Sequence, residues 1–166
     1  MRLIVRMIVI AALAATSLRA ADPPPTSQEE RVRIAARIHA LESTPVTDAA
    51  KKERTDLFKW LTEAPDVSVK WCSGMLLDAP KKDKDLAGGM LIQAILSAAA
   101  FVLENPEKDK DDLLIARAGL HGALLAYRAT VAADVKRSSP FFSKLVSQDD
   151  AGSLDEYLQP KLKDCK

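Results

Sequence analysis

The chain has 166 residues, of which 28% are charged and 48% hydrophobic, and its 24 lysines and arginines nearly balance 23 aspartates and glutamates. This composition is typical of one ordinary globular domain, and it excludes a collagen-like or wholly disordered chain. Removal of residues 1–20 would leave 21 basic against 23 acidic residues, a net charge of about −2, so we expect no binding to nucleic acid.

Residues 1–20 have the pattern of an export signal. Arg2 and Arg6 precede an apolar stretch from Met7 to Leu18, and small residues around Ala20 suit a signal peptidase. The stretch is shorter than the roughly 17 to 25 apolar residues that a membrane anchor needs. We therefore expect a periplasmic or secreted protein with a signal peptide at 1–20, a flexible proline-rich lead-in at 21–26 and one helical domain at 27–166.

The first three predicted helices lie between prolines. Ser27 and Glu30 form a capping box at the start of the first helix, in which each side chain bonds the backbone amide of the other residue. Thr47 or Asp48 is expected to cap the second helix, which ends before Pro65 because proline stops it. Asp66 is expected to cap a third, short helix that ends before Pro80. That helix would carry Val69, Trp71, Cys72, Met75 and Leu76.

Two long helices are predicted to form the core as an antiparallel hairpin, Leu86 to Leu103 against Leu113 to Ala133. The first runs 18 residues without a charge, so its length alone would suit a membrane span. Its many small residues and Gln93 favour the buried centre of a bundle instead, and no stable membrane insertion is expected. Small side chains on the second helix would let the two backbones approach closely. This expected seam is Ile115, Ala118, Gly122, Ala126, Ala129 and Ala133.

Two shorter helices are expected after the hairpin. Ser139 followed by Pro140 suits the start of the first, and Ser153 with Glu156 forms a second capping box. No segment shows sustained alternation of apolar and polar residues, so strands are not expected. The sequence predicts an all-α single-domain bundle of about six to seven helices.

Cys72 and Cys165 are the only cysteines in the chain. In an exported protein two cysteines most simply form one disulfide, which would tie the C-terminus to the third predicted helix. Two unpaired thiols are the alternative. A redox-active pair is not expected, because catalytic dithiols usually lie close together as Cys-x-x-Cys.

Several segments resemble a group of exported bacterial all-helical proteins with no assigned function. The resemblance covers most of the mature chain and implies export, an all-helical fold and a disulfide, without an activity, ligand or catalytic residue. The segments that carry it are Trp60 to Val67, Trp71-Cys72, Ala99 to Pro106, Ala126-Tyr127, and Leu154 to Tyr157 with Cys165.

Motifs of catalysis and metal binding are not found in the sequence. His39 and His121 lie outside metal-binding spacings, and no phosphate loop or nucleophile elbow occurs, so we expect no enzyme, metal or cofactor. One basic stripe, Lys110, Arg117, His121 and Arg128, falls on a single face of the fifth predicted helix. It would bind an anion or a partner, or it is the solvated edge of an amphipathic helix.

Three aromatic residues, Trp60, Trp71 and Phe101, are either core residues or the lining of a ligand cavity. The sequence favours a non-enzymatic, exported protein of the bacterial cell envelope with a structural or interaction role, as an adaptor, a chaperone-like protein or an inhibitor. The alternative is binding of a small apolar or amphipathic ligand in a cavity of the bundle. The partner or ligand and the oligomeric state do not follow from the sequence.

Overall fold

The computed structural model of the protein describes residues 24–72 and 74–165, without the side chain of Leu77. The predicted export signal therefore lies outside the described residues. Within them the fold is an all-α bundle of seven helices with no strand, as the sequence predicts. The helices are α1 (Gln28–Glu42), α2 (Asp48–Glu63), α3 (Gly74–Leu77), α4 (Lys84–Glu104), α5 (Asp112–Ala133), α6 (Pro140–Asp150) and α7 (Leu154–Lys163).

The predicted central hairpin is confirmed, and α4 is its innermost helix. One apolar cluster joins α4 to α1 and α2, and a second joins it to α3, α5, α6 and α7. By length and composition α4 could also cross a membrane, but 67% of its apolar window is buried inside the bundle. Burial on both sides explains why α4 is apolar around its whole circumference.

The close contact between α4 and α5 depends on two glycines of α5. A Cβ atom at Gly119 would lie 2.6 Å from the carbonyl oxygen of Ala94, and one at Gly122 would overlap Ser97. Gly122 belongs to the seam that the sequence predicts, and Ile115 and Ala126 of that seam are buried. Gly119 was not part of the predicted seam, and Ala133, which was, is exposed at the end of the helix.

The third predicted helix is wrong over most of its length. Residues 67–72 are not helical, and α3 is a single turn that begins at Gly74. Asp66 caps no helix, because its carboxylate accepts bonds from the backbone amide and hydroxyl of Thr26 and pairs with Arg31. The β-branched Val67 and Val69, which disfavour helix, follow it in a segment without regular secondary structure.

The first capping box forms only in part, and the second does not form. Ser27 caps α1 by accepting a bond of 3.2 Å from the Glu30 amide, but the Glu30 carboxylate bonds Trp60 instead of the Ser27 amide. Ser153 precedes α7 without a side-chain cap, because its hydroxyl donates to the carbonyl oxygen of Gln148. Pro160 lies inside α7 and does not end it.

The predicted disulfide between Cys72 and Cys165 is present. The Cα atoms of the two residues are 5.8 Å apart, within the range of about 4.4 to 6.8 Å that a disulfide spans. The bond closes a loop of 93 residues and fastens the segment after α7 to the segment before α3. The Tyr157 hydroxyl reinforces this connection by donating to the carbonyl oxygen of Met75 at 2.5 Å.

Candidate functional site

The basic stripe is an ion-paired seam between α5 and the two last helices. Arg117, His121 and Arg128 lie on α5, and each is paired with an aspartate of α6 or α7. The partners are Asp155 for Arg117, Asp149 for His121 and Asp150 for Arg128. The charges of Arg117 and Arg128 are therefore balanced by aspartates of the same chain. Anion binding by the stripe stays a prediction.

Lys110 is separated from the rest of the stripe. The sequence placed it on the fifth helix, but it lies in the turn before α5, which is a correction. The helix begins only at Asp112, because the Asp111 side chain caps it by accepting a bond of 3.0 Å from the Leu114 amide. Lys110 lines a shallow surface depression with Asp109 and Asp112.

The three aromatic candidates do not share a cavity. Trp60 lies in a surface groove, and Trp71 packs over Gly119 beside the disulfide. Phe101 is half-buried in the cluster between α1, α2 and α4, and it lines neither the groove at Trp60 nor the depression at Trp71. The Nε1 atom of Trp71 is buried without a hydrogen-bond partner among the described residues.

The groove at Trp60, which we call the Trp60 groove, lies where α2 ends against the start of α1. Its volume is about 410 Å³. Trp60 is half-buried, and its Nε1 atom donates a bond of 3.0 Å to the Glu30 carboxylate, which fixes the ring. The lining residues are Pro24, Pro25, Thr26, Ser27, Glu30, Trp60, Glu63, Ala64 and Pro65.

Side-chain contacts hold the walls of the Trp60 groove in place. The amide and hydroxyl of Thr26 donate to Asp66 at 3.0 and 2.6 Å, and Arg31 pairs with the same carboxylate. These bonds fasten the segment of Pro24 and Pro25 beside Pro65. Because the proline ring fixes φ, Pro24, Pro25 and Pro65 restrict the backbone conformations of the groove walls.

A second depression, which we call the α2–α4 cleft, lies between the starts of α2 and α4. Its volume is about 560 Å³. Six charged side chains line it, of which four are positive and two negative. They are Lys51, Arg54, Lys84, Arg137, Asp48 and Asp85. No ion pair within 4.0 Å in the described part of the chain involves any of them, in contrast to the arginines of α5.

Arg54 forms the floor of the α2–α4 cleft and is only 2% exposed. It donates to four neutral acceptors, which are Gln93 Oε1, the carbonyl oxygens of Leu41 and Thr44 at 2.9 Å each, and that of Pro45 at 3.4 Å. Burial lowers the pKa of Arg54 from its ordinary value. The guanidinium nevertheless stays protonated, because arginine does not lose its proton in proteins. The floor of the cleft therefore carries a buried positive charge that forms no ion pair with a carboxylate of the described residues.

The wall of the α2–α4 cleft is the loop between α1 and α2, and three side chains hold it. Besides Arg54, the Arg137 guanidinium donates to the Val46 carbonyl oxygen at 2.6 Å, and the Val46 amide donates to Thr130 at 2.8 Å. Val46 lies directly on Gly89 of α4, where a Cβ atom would overlap it. Contacts within the chain thus hold the wall of the cleft in place.

Sequence reasoning missed the α2–α4 cleft because its charges come from three distant segments. One signal was present in α2, whose buried positions are Ala50, Arg54, Leu57 and Leu61. These residues follow helical spacing, so an arginine stands on the apolar face. An arginine at such a position indicates a buried, bonded charge, although it does not reveal the residues that surround it.

Comparison of the chain with protein-family models, with curated proteins and with solved structures found no significant match.

Proposed function

We propose that the mature chain is a non-enzymatic, exported interaction protein of the bacterial cell envelope, and that it binds an extended segment of a partner protein in the Trp60 groove. The observation that carries the proposal is a half-buried tryptophan in a surface groove that Pro24, Pro25 and Pro65 also line. Tryptophan is enriched among the residues that dominate binding energy at interfaces. Grooves lined by aromatic side chains bind extended, proline-bearing segments in several peptide-recognition domains.

Export is part of the same proposal. The pattern of residues 1–20 supports it, and so does the bond between Cys72 and Cys165, since structural disulfides persist mainly in oxidising compartments. Trp60 is half-buried and lines the groove, so its ring offers an apolar anchor to a partner.

Affinity capture from the native envelope tests the proposal. The tagged mature chain should retain a partner protein that the Trp60→Ala variant loses. Because Trp60 also touches the core, a second variant, Glu63→Arg, changes the charge of the groove at an exposed position outside the core. It should also weaken capture. The matched control is Val135→Ala, which removes an exposed apolar side chain outside the groove and should retain the partner.

Two results would contradict the proposal. One is equal capture of the same partner by the wild-type chain and by both groove variants. The other is the absence of any captured protein with the wild-type chain. Circular dichroism of each variant separates a loss of binding from a loss of folding.

A further inference from the structure

Independently of the Trp60 groove, we propose that the α2–α4 cleft binds a phosphate monoester of a small, hydroxyl-rich molecule, such as a sugar phosphate. The inference starts from the charge of the cleft. Lys51, Arg54, Lys84 and Arg137 contribute four positive charges and Asp48 and Asp85 two negative ones, a net charge of +2. A phosphate monoester carries about −1.5 to −2 at neutral pH and would nearly neutralise this excess.

The Arg54 guanidinium lines the cleft and is almost fully buried. Arginine has five N–H groups, and the four described bonds occupy four of them. A buried N–H group without a partner is costly, so an oxyanion in the cleft would stabilise it. The start of α2 adds to this, because Thr47 makes no side-chain cap and the first amides of the helix carry partial positive charge.

The size and lining of the cleft indicate the chemistry of the ligand beyond its phosphate group. A volume of about 560 Å³ exceeds what an inorganic anion needs and falls within the range of small-molecule sites. Asp48 and Asp85 at its mouth are exposed carboxylates that can accept bonds from hydroxyl groups. Val46 and Ile92 add an apolar surface against which carbon atoms can pack.

Isothermal titration calorimetry of the mature protein at low salt tests this proposal. Glucose 6-phosphate should bind, inorganic phosphate should bind more weakly, and glucose should not bind. The proposal would be overturned if glucose bound as tightly as glucose 6-phosphate. It would also be overturned if glucose 6-phosphate did not bind. Vesicles containing phosphatidylglycerol serve as a further probe. Binding to vesicles without binding to the sugar phosphate would assign the charge to a lipid surface and would also overturn it.

Charge variants locate the binding in the cleft. Lys51→Gln and Lys84→Gln should each weaken binding of glucose 6-phosphate about tenfold, because each removes a charge-assisted bond. Lys52→Gln and Lys82→Gln are matched controls on exposed neighbours outside the cleft and should bind as the wild type does. Equal effects of the cleft variants and the controls would indicate non-specific attraction and contradict the assignment.

A cavity-filling variant keeps the test free of folding effects. Gly88 lies on the exposed surface of α4 in the cleft, and a Cβ atom there meets nothing within 4 Å. Gly88→Leu should occupy the cleft while raising helix propensity, so that binding is lost without a loss of thermal stability. Unchanged affinity in this variant would show that the ligand binds elsewhere.

Discussion

Substitution of Gly119 tests the close contact between α4 and α5 most directly. In the Gly119→Ala variant the new Cβ atom would lie 2.5 Å from Cζ3 of Trp71, 2.6 Å from the carbonyl oxygen of Ala94 and 3.0 Å from Cβ of Ala98. The Ala94 oxygen belongs to the backbone of α4 and cannot rotate away. The two helices must therefore separate, and Trp71 must shift with them.

The magnitude follows from two opposed effects. Overpacking of a well-filled core costs about 1 to 3 kcal/mol. Alanine in place of glycine inside a helix raises the free energy of unfolding by about 0.5 to 1 kcal/mol. Gly119→Ala should therefore lower the free energy of unfolding by up to about 2.5 kcal/mol, which lowers Tm by up to about 10 °C in a domain of this size.

Gly88→Ala is the matched control, because Gly88 lies in the neighbouring helix with open space where its Cβ atom would be. It should gain the helix propensity without the overlap, and its Tm should rise by about 1 to 4 °C. Thermal unfolding followed by circular dichroism, with urea unfolding for the free energies, provides the comparison. If Gly119→Ala proved as stable as Gly88→Ala, the close approach of α4 and α5 at Gly119 would be refuted.

Three further predictions concern the disulfide, a histidine bridge and the buried arginine. Replacement of Cys72 and Cys165 by alanine should lower the free energy of unfolding in urea by about 4 to 5 kcal/mol, because the bond closes a loop of 93 residues. Insensitivity of the wild type to a reductant would contradict this. Partial burial lowers the pKa of His39, but bonds and charges of two glutamates on α1 and α4 outweigh it and raise the pKa above its ordinary value. The bridge should therefore stabilise the fold fully below about pH 6.5 and lose this effect as the pH rises through the raised pKa. Thermal unfolding across this pH range should show the loss in the wild type, and a His39→Gln variant with the same pH profile would argue against it. Arg54→Met should cost about 3 kcal/mol or more, because it leaves buried acceptors unpaired. A loss below about 1 kcal/mol in urea unfolding would show that these bonds contribute little.

The helices that the sequence predicted correctly are those with long apolar patterns whose ends are marked by capping residues or prolines. The hairpin of α4 and α5 is such a case, because a charge-free run beside a helix rich in small residues has few other ways to be buried. The structure of the segment after Pro65 was predicted wrongly because the Asp66 carboxylate can either cap a helix or bind distant residues. Local spacing suggests a helix cap, whereas the fold brings Thr26 and Arg31 to the same carboxylate.

The surfaces were harder to predict than the core. The basic residues of α5 share one helix face, as the spacing predicts, but their aspartate partners lie 22 to 38 residues away in the chain. Only the folded arrangement reveals that these charges are paired. The α2–α4 cleft shows the reverse, because Lys51, Lys84 and Arg137 have no common sequence pattern and converge only in the structure.

Site-specific photo-crosslinking in the native host tests the proposed interaction role most directly. A photoreactive amino acid at position 63 lies in the Trp60 groove, and one at position 135 lies on the exposed turn after α5. The proposal predicts that position 63 forms a crosslink to one partner protein, that Trp60→Ala abolishes it, and that position 135 does not form it. The same crosslinks from both positions, or none from position 63, would contradict the proposal that the chain acts through the Trp60 groove.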